Sequence, residues 1–537
     1  MRKMKIAIFG GGIAGLTVAH ELAECSDLFE ITLYEKSNTI GGKAKSRWTQ
    51  DGFPAEHSAR TIHRVYYHLR DTLQRIPYDN TAQCVLGNVT PTLAGPYKFF
   101  MRENENPYVL PHYFPWTKMG LDEYAAFSHA LKEMVPKNEI HDFLKKIFKL
   151  MQACTERRYK EFDDISWEDY LEAKDKSKAY YNCLLRLPEF YVAARGTARA
   201  SSMGMLLARS IFFPLVHPFA SQKSAADVFN GPSSDVFINP WGDYLKKLGV
   251  TFKMQTAVTK INMANNNIKN VSVLNENGKE EEVSADIYVF ALPVEIMALL
   301  TKDEAIRSAI PTFNNLEKLS VEPSSGIQFF TSNDEDPIYL KGWTSFLDSP
   351  WAIIGINQSE KLWSHTHFKA PLKNILSLTW SNFNVAGVLY NKPAYACTAE
   401  EIKNEILAQV RLHKGMEKYI DRLTIHSWAL DDCISFNENK LLSHCAPLFV
   451  PYPGSRRYQP EAYTESANVF LAGDYTNTGF DITTMEAANE SGRRAVNAII
   501  KKHDLKCKPC FVLDADHNGF AFLKLLDKLL YKMQRKS

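Results

Sequence analysis

Short apolar runs alternate with stretches of helical apolar spacing, and together they predict most of the chain's elements. Ile6–Phe9 is an unbroken apolar run, long enough for a buried strand and too short for a helix. Leu16–Cys25 carries helical spacing, and Ile31–Tyr34 predicts a second buried strand. Pro77–Pro115 is rich in Pro, Asn, Gly and aromatic residues, which predicts strands and loops. Helical periodicity over Gly120–Gln152 rests on Leu121, Tyr124, Phe127 and Leu131, then on Ile140, Phe143, Ile147 and Met151. Ser166 and Asp169, close to a capping box, start another helix, with helices continuing to about Phe212. Pro240–Leu248 predicts a helix that Gly249 stops, followed by strands at Val250–Met254, Val258–Ile261, Val271–Leu274 and Ala285–Pro293. From about 310 to 450 a second, mostly antiparallel sheet is expected, with a surface helix at Cys397–Leu412 capped by Thr398 and Glu401. Val469–Ala472 reads as a buried strand, ended by Gly473 and Asp474, with a helix starting near Thr483 or Thr484. Near the end, Phe522, Leu526, Leu529, Leu530 and Met533 share one helical face, with Lys524, Lys528, Lys532 and Arg535 among them.

Composition changes this picture little. Hydrophobic residues make up 45% of the 537 and charged residues 23%, as in ordinary globular proteins. A net charge of +2 provides no basic field for a nucleic-acid partner. Nine cysteines are scattered without framework spacing, which suits a reducing compartment. Cys507 and Cys510 form one C-x-x-C, which cannot close a four-ligand zinc site, and we assign no metal. The N-terminus does not read as a signal peptide, and no apolar stretch reaches the ~20 residues that would span a bilayer. We therefore expect a cytoplasmic protein whose tail helix either lies on a membrane surface or docks on its own domain.

Candidate chemistry starts between the first strand and the first helix, where Gly10, Gly12 and Gly15 form G-x-G-x-x-G. Glycine there serves a tight turn, close backbone approach to a pyrophosphate, and close packing of helix on strand. The helix N-terminus at Ile13 and Ala14 offers N–H groups and a dipole that favour phosphate. Glu35, twenty residues after Gly15 and followed by Lys36, stands where a carboxylate accepts bonds from ribose hydroxyls and repels a 2′-phosphate. Strand, glycines, helix, strand and acid in register predict an adenine dinucleotide with a free ribose, FAD or NAD.

The residues beyond the acid resemble a known family. Ser37–Ser46, SNTIGGKAKS, resembles the glycine-doublet element of the FAD-dependent amine oxidase and carotenoid desaturase superfamily. There the doublet and its cation approach the FAD pyrophosphate, which implies that role for Gly42 and Lys43, with lysine in place of arginine. Ala467–Ile500 closely resembles the desaturases' C-terminal FAD motif, L-A-G-D-[WY]-T followed by a helix with [MI]-E-G-A and S-G. That resemblance implies contacts from Gly473, Asp474, Thr484 and Met485, the helix N-terminus facing the flavin N1–C2=O edge. Ala487 stands where the family has glycine. Val258 best matches a valine whose backbone meets the adenine. Gly52–Ile76 resembles the squalene and carotenoid desaturase branch in Gly52, Glu56, Tyr66, Thr72 and Leu73. It departs from that branch at Arg60 and Arg64. With His57 and His63 beside them, these arginines suit an anionic substrate end, or else pair with acids or the pyrophosphate. Gln328, in SSGIQFFT, best matches the lysine that holds a water against flavin N5 in polyamine and monoamine oxidases, and its lack of charge weighs against amine oxidation.

The resemblance implies an α/β fold, with a Rossmann-like FAD-binding domain assembled from residues 1–76, 231–300 and 461–503. A helical cap at 77–230 and a mixed antiparallel sheet at 301–460 would form the substrate domain, and 504–537 a tail. It implies an FAD-dependent desaturase that moves a hydride from a C–H bond of an apolar isoprenoid or lipid to flavin N5. Glu56, His57 and His63 are the candidates for proton transfer, with loss of the proton without a protein base as the alternative. Arg60 and Arg64 are those for gripping an acidic end, and quinone or oxygen would be the electron acceptor. The alternatives are an amine or amino-acid oxidase using oxygen, and a protein whose flavin does no redox chemistry.

Overall fold

Met4–Phe9 is apolar over its last four residues because it runs between two other strands under helices, at the centre of a five-stranded parallel sheet. In order the strands are Thr251–Lys253, Phe29–Tyr34, Met4–Phe9, Ile287–Phe290 and Val469–Leu471. The register pairs Ile6 with Ile31 on one side and with Ile287 on the other. One sheet thus draws on three distant stretches of sequence. The computed structural model describes residues 2–25, 28–79, 83–91, 97–103, 107–110, 129, 131–192, 194–211, 226–333, 342–359, 361–438, 442–513 and 521–534.

Two helices cross on this sheet. Ile13–Ala23 is buried along its whole length, and Met485–Lys502 lies against it. Gly492 allows the crossing, since a Cβ there would come within 2.7 Å of the Ala14 carbonyl oxygen. Asn489 Nδ2 then donates to Thr17 Oγ1 at 2.8 Å and to Thr72 Oγ1 at 2.9 Å. Glu486 accepts from the His68 and Leu69 N–H groups, at 3.0 and 2.9 Å, and so caps a third helix, Tyr67–Arg75.

The second sheet has seven strands, in the order Ile425–Leu430, Ser325–Thr331, Asn374–Trp380, Ile354–Ser359, Thr344–Phe346, Tyr97–Phe100, Tyr108–Leu110. All neighbours are antiparallel except Thr344–Phe346 and Tyr97–Phe100. The last two strands come from the start of the 77–230 segment, ahead of its helices. Ala399–Arg411 is helical, with the capping box between Thr398 and Glu401 in place.

The cap is more broken than its periodicity predicts. Its long helix is Lys137–Gln152, entered at Pro136, whose ring restricts the residue before it and separates a preceding helical turn. The N-terminal part of the expected Gly120–Gln152 helix lies largely outside the described residues, as do Phe212 and parts of Pro77–Pro115. Ser166 caps Trp167–Tyr170 by accepting from the Asp169 N–H, but that helix stops after one turn. Two π-helical turns, Arg158–Phe162 and Tyr181–Leu185, then separate short helices before Ala200–Ile211. No helix among the described residues is long and apolar enough to cross a membrane.

Candidate active site

Three of the glycines of the first turn are there for different reasons. A Cβ on Gly10, whose φ is +107°, would stand 2.3 Å from the Ala291 carbonyl oxygen, and one on Gly15 would stand 1.9 Å from that of Gly10. These two close helix and strands against each other. Gly15 serves this packing and does not reach the cavity described below. Gly12 is different. A Cβ there would meet only Gly42 Cα, at 3.9 Å, so the space before it stays open. The helix has no side-chain cap at Gly12, and its first bond runs from Leu16 N–H to the Gly12 carbonyl at 2.9 Å. The earlier N–H groups therefore fall outside the helical ladder and face whatever the opening holds.

That opening belongs to one continuous cavity of about 920 Å³. Gly10, Gly12, Ile13 and Ala14 line it beside Gly42 and Lys43. Glu35 lines it too. Its carboxylate accepts from the Gly11 and Ser37 N–H groups at 2.7 and 2.8 Å, which holds it at the strand end beside Lys36. Val258 approaches from the strand Ala257–Ala264, and Gly473 and Asp474 from the end of Val469–Leu471. Thr484 caps the last long helix by accepting from the Ala487 N–H at 3.1 Å, and with Met485 it forms part of the wall. Ala487 is fully buried behind Thr484 and Ala488, so its extra methyl does not enter the cavity. An uncapped helix start, a glycine opening, a carboxylate and a second helix N-terminus in one cleft fit an adenine dinucleotide with a flavin at its far end.

The substrate side of the cavity is set by register. Gly326 pairs with Thr379, Thr379 with Ile354, Ile354 with Ser345, and Ser345 with Phe99. This cross-strand row spans four strand spacings, about 19 Å. Thr379, Ile354, Ser345 and Phe99 all line the cavity, with Trp343, Leu187 and Phe190 beside them. Glu189 is a carboxylate on that side, and Arg186 Nε holds it at 2.8 Å.

At the Gly326 end the row is completed by His57. A Cβ on Gly326 would stand 2.3 Å from the His57 carbonyl oxygen, so glycine lets the His57 backbone lie directly on the sheet. His57 Nδ1 bonds to Asp431, whose own N–H donates to the Gly326 carbonyl at 3.0 Å. Asp431 also accepts from Ser325 Oγ at 2.8 Å and from the Cys433 N–H at 3.1 Å. Burial pushes the Asp431 carboxyl up, but the His57 imidazole beside it wins and holds it well below the usual carboxylate range. Burial holds the neighbouring His444 imidazole down at about 4, with Asp431 opposing. Asp431, Asp432 and Cys433 bring three ligand-type atoms within 4.8 Å of one another, but the hydrogen bonds just given already engage Asp431, and we assign no metal.

The sequence did not single out Asp431. It lies 374 residues from His57, in a stretch without a motif, and only the sheet register brings the two together. Arg60 lines the cavity, donating to the Lys43 carbonyl and to Ser58 Oγ at 3.3 Å. Glu56 and Arg64, expected beside them, do not line it. Glu56 sits on the strand Pro54–Glu56, whose alternation turns it away from His57's side. It accepts there from Ser233 N–H at 2.8 Å and Oγ at 2.6 Å. Arg64 donates to the Ser210 carbonyl at 2.9 Å and ties the cap down. Gln328 is likewise absent from the wall, being covered by the same strand. Its Oε1 accepts from the Glu56 N–H at 2.8 Å and its Nε2 donates to Ser377 Oγ at 3.1 Å. Gln328 therefore does not weigh against amine oxidation.

Similar proteins were found by sequence and by structure. The sequence model of the family described as "Flavin containing amine oxidoreductase" matches residues 13–500. A zeta-carotene desaturase of Synechocystis sp. is 22% identical over 526 residues, covering 93% of this chain and 97% of that protein. A 15-cis-phytoene desaturase of Synechococcus elongatus is 21% identical over 518 residues, covering 93% and 97%. Among solved structures, a putrescine oxidase bound to putrescine gives a TM-score of 0.62 at 14% identity, covering 93% of this chain and 99% of the other. An oxidoreductase from Methanosarcina mazei gives 0.58 at 11%, covering 93% and 100%. At such identities the structural likeness speaks for the fold.

Proposed function

The chain belongs to the family of flavin containing amine oxidoreductases and is an FAD-dependent oxidoreductase, and from that premise we propose that it is a desaturase-type dehydrogenase of an apolar isoprenoid or lipid-like substrate. The observation that carries this reading is the set of apolar side chains Phe99, Ile354, Trp343, Leu187 and Phe190 along the row from Gly326 to Phe99, which leads away from the cofactor cleft within one cavity. Two relatives named as carotenoid desaturases support the substrate class. We take residues 1–76, 231–300 and 461–503 as the cofactor domain, 77–230 and 301–460 as the substrate domain, and 504–537 as the tail.

When bound, FAD supplies the hydride acceptor. Gly10, Gly12, Ile13, Ala14, Glu35, Lys36, Gly42 and Lys43 would hold its adenosine and pyrophosphate part, Val258 its adenine, and Gly473, Asp474, Thr484 and Met485 its flavin side. The chain's remaining tasks are to bind, to exclude water and to move a proton. Phe99, Leu187, Phe190, Trp343 and Ile354 bind the hydrocarbon and keep water from the reacting carbons. Loss of a hydride from one carbon requires loss of a proton from the next, and His57 is the acceptor we assign. Asp431 holds the Nδ1 proton, which leaves the Nε2 lone pair to receive the substrate's. Arg60 supplies a cation beside this centre, for an acidic substrate end or the pyrophosphate. The electron acceptor that completes the cycle is a quinone or oxygen.

The test is product analysis. Holoenzyme, a quinone and a long isoprenoid polyene should yield a product lighter by two hydrogens, while a diamine should give no aldehyde or peroxide. Turnover of the diamine with no change in the polyene would overturn the assignment.

A further inference from the structure

The C-terminal helix Ala521–Gln534 is amphipathic, yet it packs on the protein with its polar face. Asp527 accepts from Arg157 Nε at 3.0 Å and from the Cys154 N–H at 2.8 Å. Lys528 pairs with Glu156 at 2.6 Å, Gln534 Oε1 accepts from Arg157 at 3.0 Å, and the Arg157 guanidinium lies 4.7 Å from the Tyr531 ring centre. With Lys524 buried, positions 524, 527, 528, 531 and 534 form one helical stripe, and that stripe is the docked one.

The apolar stripe is consequently turned outward. Phe522 is 75% exposed and Met533 68%, while Leu525, Leu526, Leu529 and Leu530 lie between 44% and 58%. Burial of apolar surface would favour the opposite orientation, so the charged contacts hold the helix in one that only an outside partner satisfies. Glu156 and Glu161 are already paired, with Lys528 and Arg157, and the other charges next to this stripe among the described residues are positive. Lys532 is exposed one helical turn beyond Leu529, and the sequence continues with Arg535 and Lys536. The helix Lys137–Gln152, which touches the C-terminal one, adds exposed Lys145, Phe148 and Lys149. Asp527, the one acid within the helix, is turned inward onto Arg157.

We propose that this face is a membrane-docking surface that lies in the headgroup region of an anionic bilayer. Fourteen residues give a helix of about 21 Å, short for spanning and suited to lying in the plane. The leucines, Phe522 and Met533 enter the acyl boundary, and the lysines around them meet anionic headgroups. A neutral protein groove would satisfy the leucines but leave the basic margin without a counterpart. The proposal stands on this helix alone and does not depend on which substrate the cavity takes.

The test is cosedimentation of full-length holoenzyme with vesicles of phosphatidylcholine containing phosphatidylserine, against pure phosphatidylcholine. We expect binding to the anionic vesicles, weakening with salt, and at least about tenfold weaker binding for L525E/L529E. Both substitutions are at exposed positions, so flavin absorbance and Tm should match those of the wild type. Wild-type protein left in the supernatant, or a double variant binding as tightly as wild type, would overturn the proposal. A wild-type dimer that ignores vesicles and becomes monomeric in L525E/L529E would overturn it in favour of a second copy of this chain.

Discussion

His57 and Asp431 illustrate how much one pair of side chains decides. Asp431 acts in this reading through the imidazole it bonds, as a positioning residue, and the two should fail differently when replaced. H57Q should lower kcat for dehydrogenation about 10²–10⁴-fold, the range of a lost general base, with FAD content unchanged. D431N should cost less and shift the pH–rate profile, because the tautomer and the stabilising charge are lost while the imidazole stays. Steady-state kinetics across pH, with flavin absorbance as the occupancy control, separates the two. A second prediction at this scale concerns buried histidines. Burial holds the His63 and His444 imidazoles down at about 4, against 6.5 ordinarily, with Arg70 and Arg64 adding to the effect at His63. Between those values the unfolded chain binds more protons than the folded one, so stability is full above about 6.5 and falls as pH drops towards 4. Each group contributes about 2–3 kcal/mol by the bottom of that window. Thermal unfolding over this range checks it, and H444Q should lose less Tm than the wild type.

Elements show what the sequence could disclose and what it could not. The first strand–turn–helix–strand and the last strand–helix were legible because their chemistry is local: glycines, acid and cap fall at fixed spacings along a few dozen residues. Thr484 was expected near the start of its helix, and it is the cap. The stretch around Glu56 was legible only by type. Strand alternation sends Glu56 to Ser233 and leaves His57 on the other side, and nothing in the composition of that segment says which side is the cavity. The Gly326–Phe99 row depends on the register of five strands, one of them from the start of the 77–230 segment, and no single stretch encodes it. Likewise the tail's amphipathic period was readable, whereas its docking by the polar stripe depends on Arg157 far away in the sequence. Two glycines test this level. G15A, with a Cβ 1.9 Å from the Gly10 oxygen, should prevent FAD retention, seen as colourless protein. G326A should keep FAD but displace His57, lowering kcat about 10²-fold, the cost of roughly an ångström of misplacement.

At the scale of the molecule, the parallel sheet ties residues near both ends of the chain to its middle. Met4–Phe9 pairs with Ile287–Phe290, which pairs with Val469–Leu471, so the cofactor cleft cannot form until most of the chain is in place. Binding of FAD should therefore stabilise the fold as a whole. At free FAD a hundredfold above its Kd the gain is about 2.7 kcal/mol, and stripping the flavin should lower Tm accordingly, with readdition restoring it. The same cavity joins this cleft to the second sheet, where Phe99, Trp343 and Ile354 line it, and that continuity underlies the proposed activity. The most direct test is anaerobic flavin bleaching of the holoenzyme, mixed separately with phytoene, squalene, a long-chain fatty acid and a polyamine. The account predicts loss of the oxidised flavin absorbance with an isoprenoid or the fatty acid, slowed in H57Q, and no change with the polyamine. Bleaching by the polyamine alone would contradict it.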